Sequence, residues 1–582
     1  MFQQILDPIG GSLLLSALCA ALPLVLLFVL LGVFRVKAPK AAIASLLVSL
    51  LLAVIGWQMP LGQALSATAA GIFYGLFPIL WILANALWIY KLTVATPWFE
   101  ALGRTIRSIS DDLRILSILI AFCFGALLES LAGFGAPVAI SAAMLMAAGM
   151  KPLKSAVVSL LANTAPVAFG AMAAPIIALN GVTGLPLHDL SSMAGRQTPF
   201  VALIVPLLLV FIVDGRRGVK QAWPVALVAG AAFAVSQFVT SNYLAVELTD
   251  VVAAVVTVAA VLVMLRFWKP KETIGMAGRA ESGAEEAVPA NVRQGAVAAR
   301  TSTTAVSRTS GAAASGPAAV NASDGSPASA DSTRPEPRHI WMAIAPYLII
   351  ITVFSIAQIP AVKSWLNQVG TVTFHWPGLD ITDSTGKPVA TTKFKLDHLK
   401  ATGTLLMFSG LITMALYRIT AGQGWRIYRE TLVQLRWTIV TVTSVLALSF
   451  VMNLSGQTTT LGFALASAGG FFAVLSPLIG WIGVALTGSD TSSNSLFGQM
   501  QATAAQQTGL SPVLMAASNS SAGVMGKMLS LQNLAVASAA VGLDGAEGTL
   551  FRKLIGWSVG LLALITVLIL LQSTPVLGWM VP

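Results

Sequence analysis

The sequence predicts an all-α, polytopic membrane protein, and three observations carry that prediction. Mean hydropathy is +0.82. Hydrophobic residues make up 56% of the 582 residues and charged residues only 10%, against about 25% charged in soluble domains. Apolar segments of about 20 residues, the length that spans a bilayer, recur along the whole chain.

Taken in order, the segments that read as spans are 12–34, 40–58, 68–90, 113–132, 199–213, 222–240, 249–268, 340–360, 401–418, 437–453, 459–486 and 552–574. Two further regions, 133–180 and 487–545, are apolar but interrupted by Gly, Pro and polar residues. Each reads as two or three short or broken helices, for a total of about 12–16 transmembrane or broken helices. The first span has no basic stretch before it, and Arg35 and Lys37 come after it. That order reads as a retained helix with an external amino terminus rather than a cleaved leader.

The net charge of +11 does not call for nucleic acid. Basic residues gather in short loops: Arg35, Lys37 and Lys40; Arg104, Arg107 and Arg114; Arg216, Arg217 and Lys220; Arg418, Arg426 and Arg429. This is the bias of cytoplasmic loops. Cys19 and Cys123 both fall in apolar spans and read as packing residues. No P-loop, HExxH, CxxC or GxSxG string occurs, so ATP-driven transport, metalloprotease and redox or acyl-transfer chemistry lack their machinery and no cofactor or metal is expected.

The chain divides into a first membrane half, 1–268, a linker, 269–338, and a second membrane half, 339–582. The linker is rich in Ala, Ser, Thr, Gly and Pro, which cannot bury a core, and its six Arg between 279 and 338 place it in the cytoplasm as a disordered segment. One span later, the polar insertion 361–400 then lies outside. Its strings TVTFHW and ATTKFKL alternate as a hairpin would. The two interrupted regions resemble each other. GMKP at 149–152 and NTAPVAFGAM at 163–172 answer to GLSP at 509–512 and NSSAGVMGKM at 519–528, so the motif 129–172 pairs with 486–533. Two internal repeats with re-entrant or discontinuous helices are therefore expected, and paired broken helices point to a binding site at the bilayer midplane.

Candidate residues follow from charge in a medium that cannot solvate it. Glu129 sits late in its span, just before the helix-breaking Gly133, Gly135 and Pro137. A carboxylate there can be protonated when dry and ionised when wet, as a proton carrier requires; the competing reading is an interfacial acid capping the next helix. Asp490 lies in a hydroxyl-rich string after the break at Gly488. It reads both as a cap for a helix starting near 491 and as part of an anion site at that helix's amino terminus. Lys527 answers to Ala171 in the first half, so the repeat does not require it. It reads as the partner of a substrate carboxylate or of Asp490, or else as a lysine snorkelling to an interface. Asn163 and Asn519 fall in the matched strings and suit hydrogen bonding to unwound backbone or substrate. Arg196 and Arg436 read as interface anchors, and His188, beside Asp189, as a loop histidine.

The strings ESLAGFGAPVAI at 129–140, ANTAPVAFGAM at 162–172, LSFVMNLSG at 448–456 and LTGSDTSSNSLFGQMQATAAQQTG at 486–509, continued by SNSSAGVMGKMLSLQNLAVA, resemble those of the L-lactate permease family of bacterial secondary transporters. The likeness covers about 68–260 and 340–570. It departs at Leu531, where members commonly carry Pro. The resemblance implies import of L-lactate, glycolate and related 2-hydroxy monocarboxylates with protons, across the bacterial inner membrane.

The expectation that joins both readings is alternating access around a midplane site. The substrate carboxylate meets Lys527 and the amides at the start of the helix near 491, with Ser489 and Thr491 at hand. Ser492, Asn494 or Asn519 bonds the 2-hydroxyl, and Glu129 or Asp490 carries the proton. The expected partners are that small carboxylate, a proton and the lipid bilayer, with a homodimer as candidate assembly and no nucleic acid. Rival readings are a Na⁺-coupled organic-anion transporter, a channel and a membrane enzyme.

Overall fold

A computed structural model of the chain describes residues 1–133, 135–274 and 337–582. Most of the expected linker 269–338, and Phe134 in the first break, lie outside the described residues. The rest is overwhelmingly helical. Among the described residues, ten helices are long and apolar enough to cross a membrane, or eleven if a pair bent by 62° counts as one span.

The first helices show why bilayer and not water is the solvent. Helix α1 (Leu13–Phe28) is followed by α2 (Ala38–Ile55), which buries Ala41, Ala42, Ser45, Ser49 and Ala53. Its exposed face carries Leu47, Leu51 and Ile55. Small and hydroxyl residues face inward while large apolar ones face out, the arrangement suited to helix packing in lipid.

Helices α3 (Leu61–Tyr74) and α4 (Trp81–Val94) form one bent crossing interrupted at Phe77. Then come α5 (Leu113–Ala132), α6 (Ala136–Ala147), α7 (Pro152–Ala162) and α8 (Gly170–Thr183). Helix α9 (Thr198–Tyr243) is 46 residues long, but Gly215 leaves the helical region at φ +62° and the chain turns back on itself. Gly230 then rests on the backbone of Leu203, so α9 is two crossings, as the segments 199–213 and 222–240 predict. Helix α10 (Thr249–Phe267) completes the first half.

The second half contains α11 (Pro337–Gln358), α12 (Thr402–Leu416), α13 (Ala421–Ser455), α14 (Gln457–Ala466), α15 (Phe472–Thr487), α16 (Asp490–Thr508), α17 (Pro512–Lys527), α18 (Leu531–Ala540) and α19 (Glu547–Gln572). The expected single span 459–486 is thus two helices. Consecutive Gly469 and Gly470, the former at φ +56°, break it. Helix α13 begins on a Thr420–Gln423 capping box and ends at Gly456, φ +97°. It packs lengthwise on α3, where Gly71 meets Ala447; a Cβ on Gly71 would stand 2.6 Å from the Ala447 Cα.

The two ends of the bundle differ. At one end, strand β1 (Phe2–Gln3) pairs with β3 (Ile381–Thr382) of the insertion. There β2 (Val372–His375) and β4 (Lys393–Leu396) form the antiparallel ribbon expected from their alternation. Thr402 reaches Glu247, just before α10, at 3.3 Å. At the other end of α10, about 28 Å away at 1.5 Å per residue, the buried Arg114 guanidinium donates to Asp112 (2.7 Å), Asp214 (3.1 Å), Gln221 (2.7 Å) and the Glu272 carbonyl (2.5 Å). Arg114 is therefore a structural tie rather than a free loop charge.

Candidate functional site

Four chain breaks converge inside the bundle. Helix α5 ends at Gly133, and Gly135 at φ +86° restarts the chain into α6 with Pro137 in its first turn. Helix α7 ends at Asn163, and α8 begins with Ala171, Met172 and Ala173 all left-handed, at φ +46°, +54° and +59°. Three successive non-glycine residues in that region cost about 1–2 kcal/mol each, so surrounding structure holds them there. Gly488, φ +74°, separates α15 from α16. Ser530 caps α18 after α17 has ended at Lys527.

The charged groups sit at these breaks. Lys527 Nζ lies 2.5 Å from Glu129 Oε1, and both side chains are buried. Asn163 Nδ2 donates to the other oxygen, Oε2, at 2.9 Å. Gly170 makes room for this carboxylate, since a Cβ there would stand 2.9 Å from Oε1. The pairing expected for Lys527 within the protein was with Asp490; the structure pairs it instead with Glu129, from the other half. Losing one member of such a pair strands the other and costs about 3–5 kcal/mol.

Asp490 is the first residue of α16, while Ser489 is the cap, accepting from the Ser492 amide at 3.2 Å. Its Oδ2 accepts from Ser520 at 2.5 Å and from Asn494 at 3.4 Å, whereas its buried Oδ1 has no protein partner. Gly523 is its notch: a Cβ there would stand 2.7 Å from Oδ1. Glu129, Lys527, Asp490, Ser489, Thr491, Gly133 and Gly488 together line one cavity of about 30 Å³, room enough for ordered water.

Other expected residues brace this cavity from outside. Asn494 Nδ2 donates to the Pro175 carbonyl (3.0 Å), and Asn519 Nδ2 donates to Asn494 Oδ1 (2.8 Å) while Gln501 donates to Asn519 Oδ1 (2.7 Å). Ser492 contributes its amide to the cap. None of these three is among the cavity-lining residues.

One buried acid near these breaks was not foreseen. Asp250, at the start of α10, is fully buried, accepts from Gln237 Nε2 at 3.3 Å through Oδ1, and has no partner on Oδ2. Gln237 also reaches the Ala165 carbonyl in the α7–α8 break at 3.3 Å. The place of Asp250 at the edge of an ordinary apolar span hid it; an acid inside a span is the only sequence signal.

The cavity thus brings two buried carboxylates, Glu129 and Asp490, to one buried ammonium, Lys527. A family model described as L-lactate permease matches residues 16–576. An L-lactate permease from Bacillus subtilis (strain 168) is 40% identical over 600 residues, covering 100% of both chains. Glycolate permease GlcA from Escherichia coli (strain K12) is 39% identical over 592 residues, covering 100% of this chain and 99% of that one. An L-lactate permease from the same strain is 36% identical over 594 residues, with 100% of both covered. Among solved structures, the YdaH transporter of Alcanivorax borkumensis aligns with 96% of this chain and 98% of that one at 13% identity and a TM-score of 0.38, too low to argue a shared fold.

Proposed function

The chain belongs to the L-lactate permease family, and from that premise we propose that it imports L-lactate and glycolate across the bacterial inner membrane in symport with protons, by alternating access around the Lys527 cavity. The observation that carries the proposal is the buried Lys527–Glu129 pair. The ammonium is already neutralised, so a substrate carboxylate has to take Glu129's place.

Protonating Glu129 turns its Oε1 from an anionic acceptor into a neutral group and releases Lys527 for the incoming carboxylate. One proton enters with one anion, the site's net charge is unchanged, and the step is electroneutral. Without that proton an anion entering an inside-negative cell is opposed by about 2.3 kcal/mol per 100 mV. The amides opening α16 carry the positive end of the helix dipole toward the same cavity. Asp490 Oδ1, which lacks a protein partner, is the acceptor suited to a 2-hydroxyl donor. This assigns the hydroxyl to Asp490, with Asn494, Asn519 and Ser492 as its scaffold. Asp250, tied through Gln237 to the α7–α8 break, is the reserve proton site. The amino terminus and the insertion 361–400 share one face, which we place outside, with the Arg114 end and the linker in the cytoplasm, as the basic loops require.

Counterflow in proteoliposomes with labelled L-lactate, competed by D-lactate, glycolate, pyruvate and acetate, tests the substrate. Failure of both lactate and glycolate to exchange sinks it. A protonophore should abolish accumulation whether or not Na⁺ is present; accumulation that survives it and follows Na⁺ instead would mean sodium coupling.

A further inference from the structure

Among the described residues, a cavity larger than the one that holds Lys527 lies elsewhere in the protein. About 500 Å³ opens beneath the insertion, at the end of the bundle where the amino terminus lies. Its wall is basic. Lys393 and Lys395 share one face of strand β4, being two residues apart, and Lys400 follows on the return to α12. Asp397 and Glu247 are the acids of the same lining, so its three lysines outnumber its two carboxylates.

The carboxylates are largely engaged. Asp397 lies 3.6 Å from Lys395 and 3.8 Å from Lys400, and accepts from Thr371 at 2.6 Å. Glu247 accepts from Thr402 at 3.3 Å. Lys400 also donates to Asn367 at 2.7 Å. No ion pair or hydrogen bond reaches the Lys393 ammonium among the described residues. Thr391, also in the lining, has a buried hydroxyl without a partner. Burial first, and then the neighbouring Lys395 charge, hold Lys400 below the usual lysine range against the pull of Asp397. The wall thus has positive charge in excess of what its acids neutralise.

The floor is aromatic. Phe394, on the opposite face of β4, meets Tyr74 at 6.1 Å between ring centroids, and Tyr74 meets Phe450 at 5.7 Å. The Tyr74 hydroxyl donates to the Ile177 carbonyl on α8 at 3.0 Å, and its ring covers Gly181. Helix α8 joins the two cavities: Gly170, Ala171 and Pro175 line the inner one, Ile177, Asn180 and Gly181 the outer. Pro175 and Ile177 are about half a helical turn apart.

We propose that the outer cavity is a second binding site for the transported monocarboxylate, in which Lys393, Lys395 and Lys400 capture the carboxylate before it passes Tyr74 along α8 to Lys527. The identity of the anion rests on the lactate and glycolate reading above. Charge that gathers an anion at a cleft raises its encounter rate and makes that rate sensitive to salt.

The test measures initial L-lactate uptake into proteoliposomes at low and at high ionic strength. Replacing the three lysines together with Gln should raise KM about tenfold at low salt and flatten the salt dependence of kcat/KM. Replacing them together with Arg should restore both. Lys387→Gln, in the exposed hairpin turn, should behave as wild type and controls for surface charge in general. A triple Gln variant with wild-type KM and salt dependence overturns the outer site while leaving the transport reading intact. If the triple Gln variant misfolds, the single Lys393→Gln variant, which removes no hydrogen bond, decides by the same readout. Wild-type protein that takes up neither lactate nor glycolate overturns the transport reading instead.

Discussion

The broken regions α5–α8 and α15–α18 are built on the same order of events and do different work. Each runs helix, glycine break, helix, a left-handed glycine turn (Gly149 at φ +94°, Gly509 at φ +73°), a proline-started helix (Pro152, Pro512) and a second break. The arms differ in length: 12 and 11 residues in α6 and α7, against 19 and 16 in α16 and α17. The matched strings also fall differently on the backbone. Asn163 ends a helix whereas Asn519 lies inside one, and Ala171 is left-handed where Lys527 is the last helical residue. The first region supplies an anion and a strained turn; the second supplies the cation and a capped helix amino terminus. Their ion pair spans 398 positions, and so the site exists only when the two regions meet. Each region carries a buried acid, Glu129 in the first and Asp490 in the second, while the buried ammonium of Lys527 belongs to the second.

The sharpest way to break this division is to remove the cation. Lys527→Ala should abolish uptake and, by stranding Glu129, destabilise the protein by about 3–5 kcal/mol in detergent unfolding. The double variant Glu129→Gln with Lys527→Gln should recover most of that stability but none of the uptake. If it remains as unstable as the single variant, the pair is not what holds these regions together. Glu129→Gln alone should keep lactate counterflow, because Lys527 is then permanently free, while losing proton-driven accumulation. Normal accumulation by this variant would remove Glu129 from the proton path.

The two glycine notches compare the carboxylates directly. Gly170→Ala and Gly523→Ala each place a methyl group against a carboxylate oxygen, at 2.9 Å and 2.7 Å, at a cost of about 1–3 kcal/mol. Gly170→Ala should slow uptake and proton coupling together, since it displaces Glu129 from Lys527. Gly523→Ala should chiefly raise KM for 2-hydroxy acids relative to acetate, since it displaces Asp490. Identical effects on both ratios would mean that the carboxylates are not specialised. A smaller effect is expected at Asp250: Asp250→Asn should change the pH profile of uptake and leave counterflow at saturating lactate nearly as in wild type. An unaltered pH profile would leave Asp250 a packing residue.

What could be read from the chain follows the range of the physics involved. Bilayer solvation acts on every 20-residue window, so the helical membrane class and most spans were legible. A buried lysine is conspicuous for the same reason, and Lys527 stood out alone. That its partner is Glu129 was not legible, because no local pattern encodes a contact between residues 129 and 527. Asn494 and Asn519 looked like substrate ligands because polarity in a span marks a wet site, but polarity does not separate lining from bracing. Asp250 was missed because a span's edge tolerates acids that its middle does not. The split of 459–486 was missed because hydropathy averages over Gly469 and Gly470.

The finest test of the comparison uses one kind of substitution in both regions. Ala171 is held at φ +46°, where a side chain is strained, while Ala522 lies in the regular interior of α17. Among the described residues 512–530, none has positive φ. Ala171→Gly should therefore stabilise the protein by about 1 kcal/mol, through relief of left-handed strain offset by chain entropy. Ala522→Gly should destabilise it by about the same amount, the usual cost of glycine inside a helix. Opposite signs in detergent melting would locate the strain in the first region only. If that strain also poises the Glu129 side of the site, Ala171→Gly should weaken coupling although the protein melts higher. Destabilisation by both substitutions would return Ala171–Ala173 to ordinary helix and make the two regions more alike than their backbones now indicate.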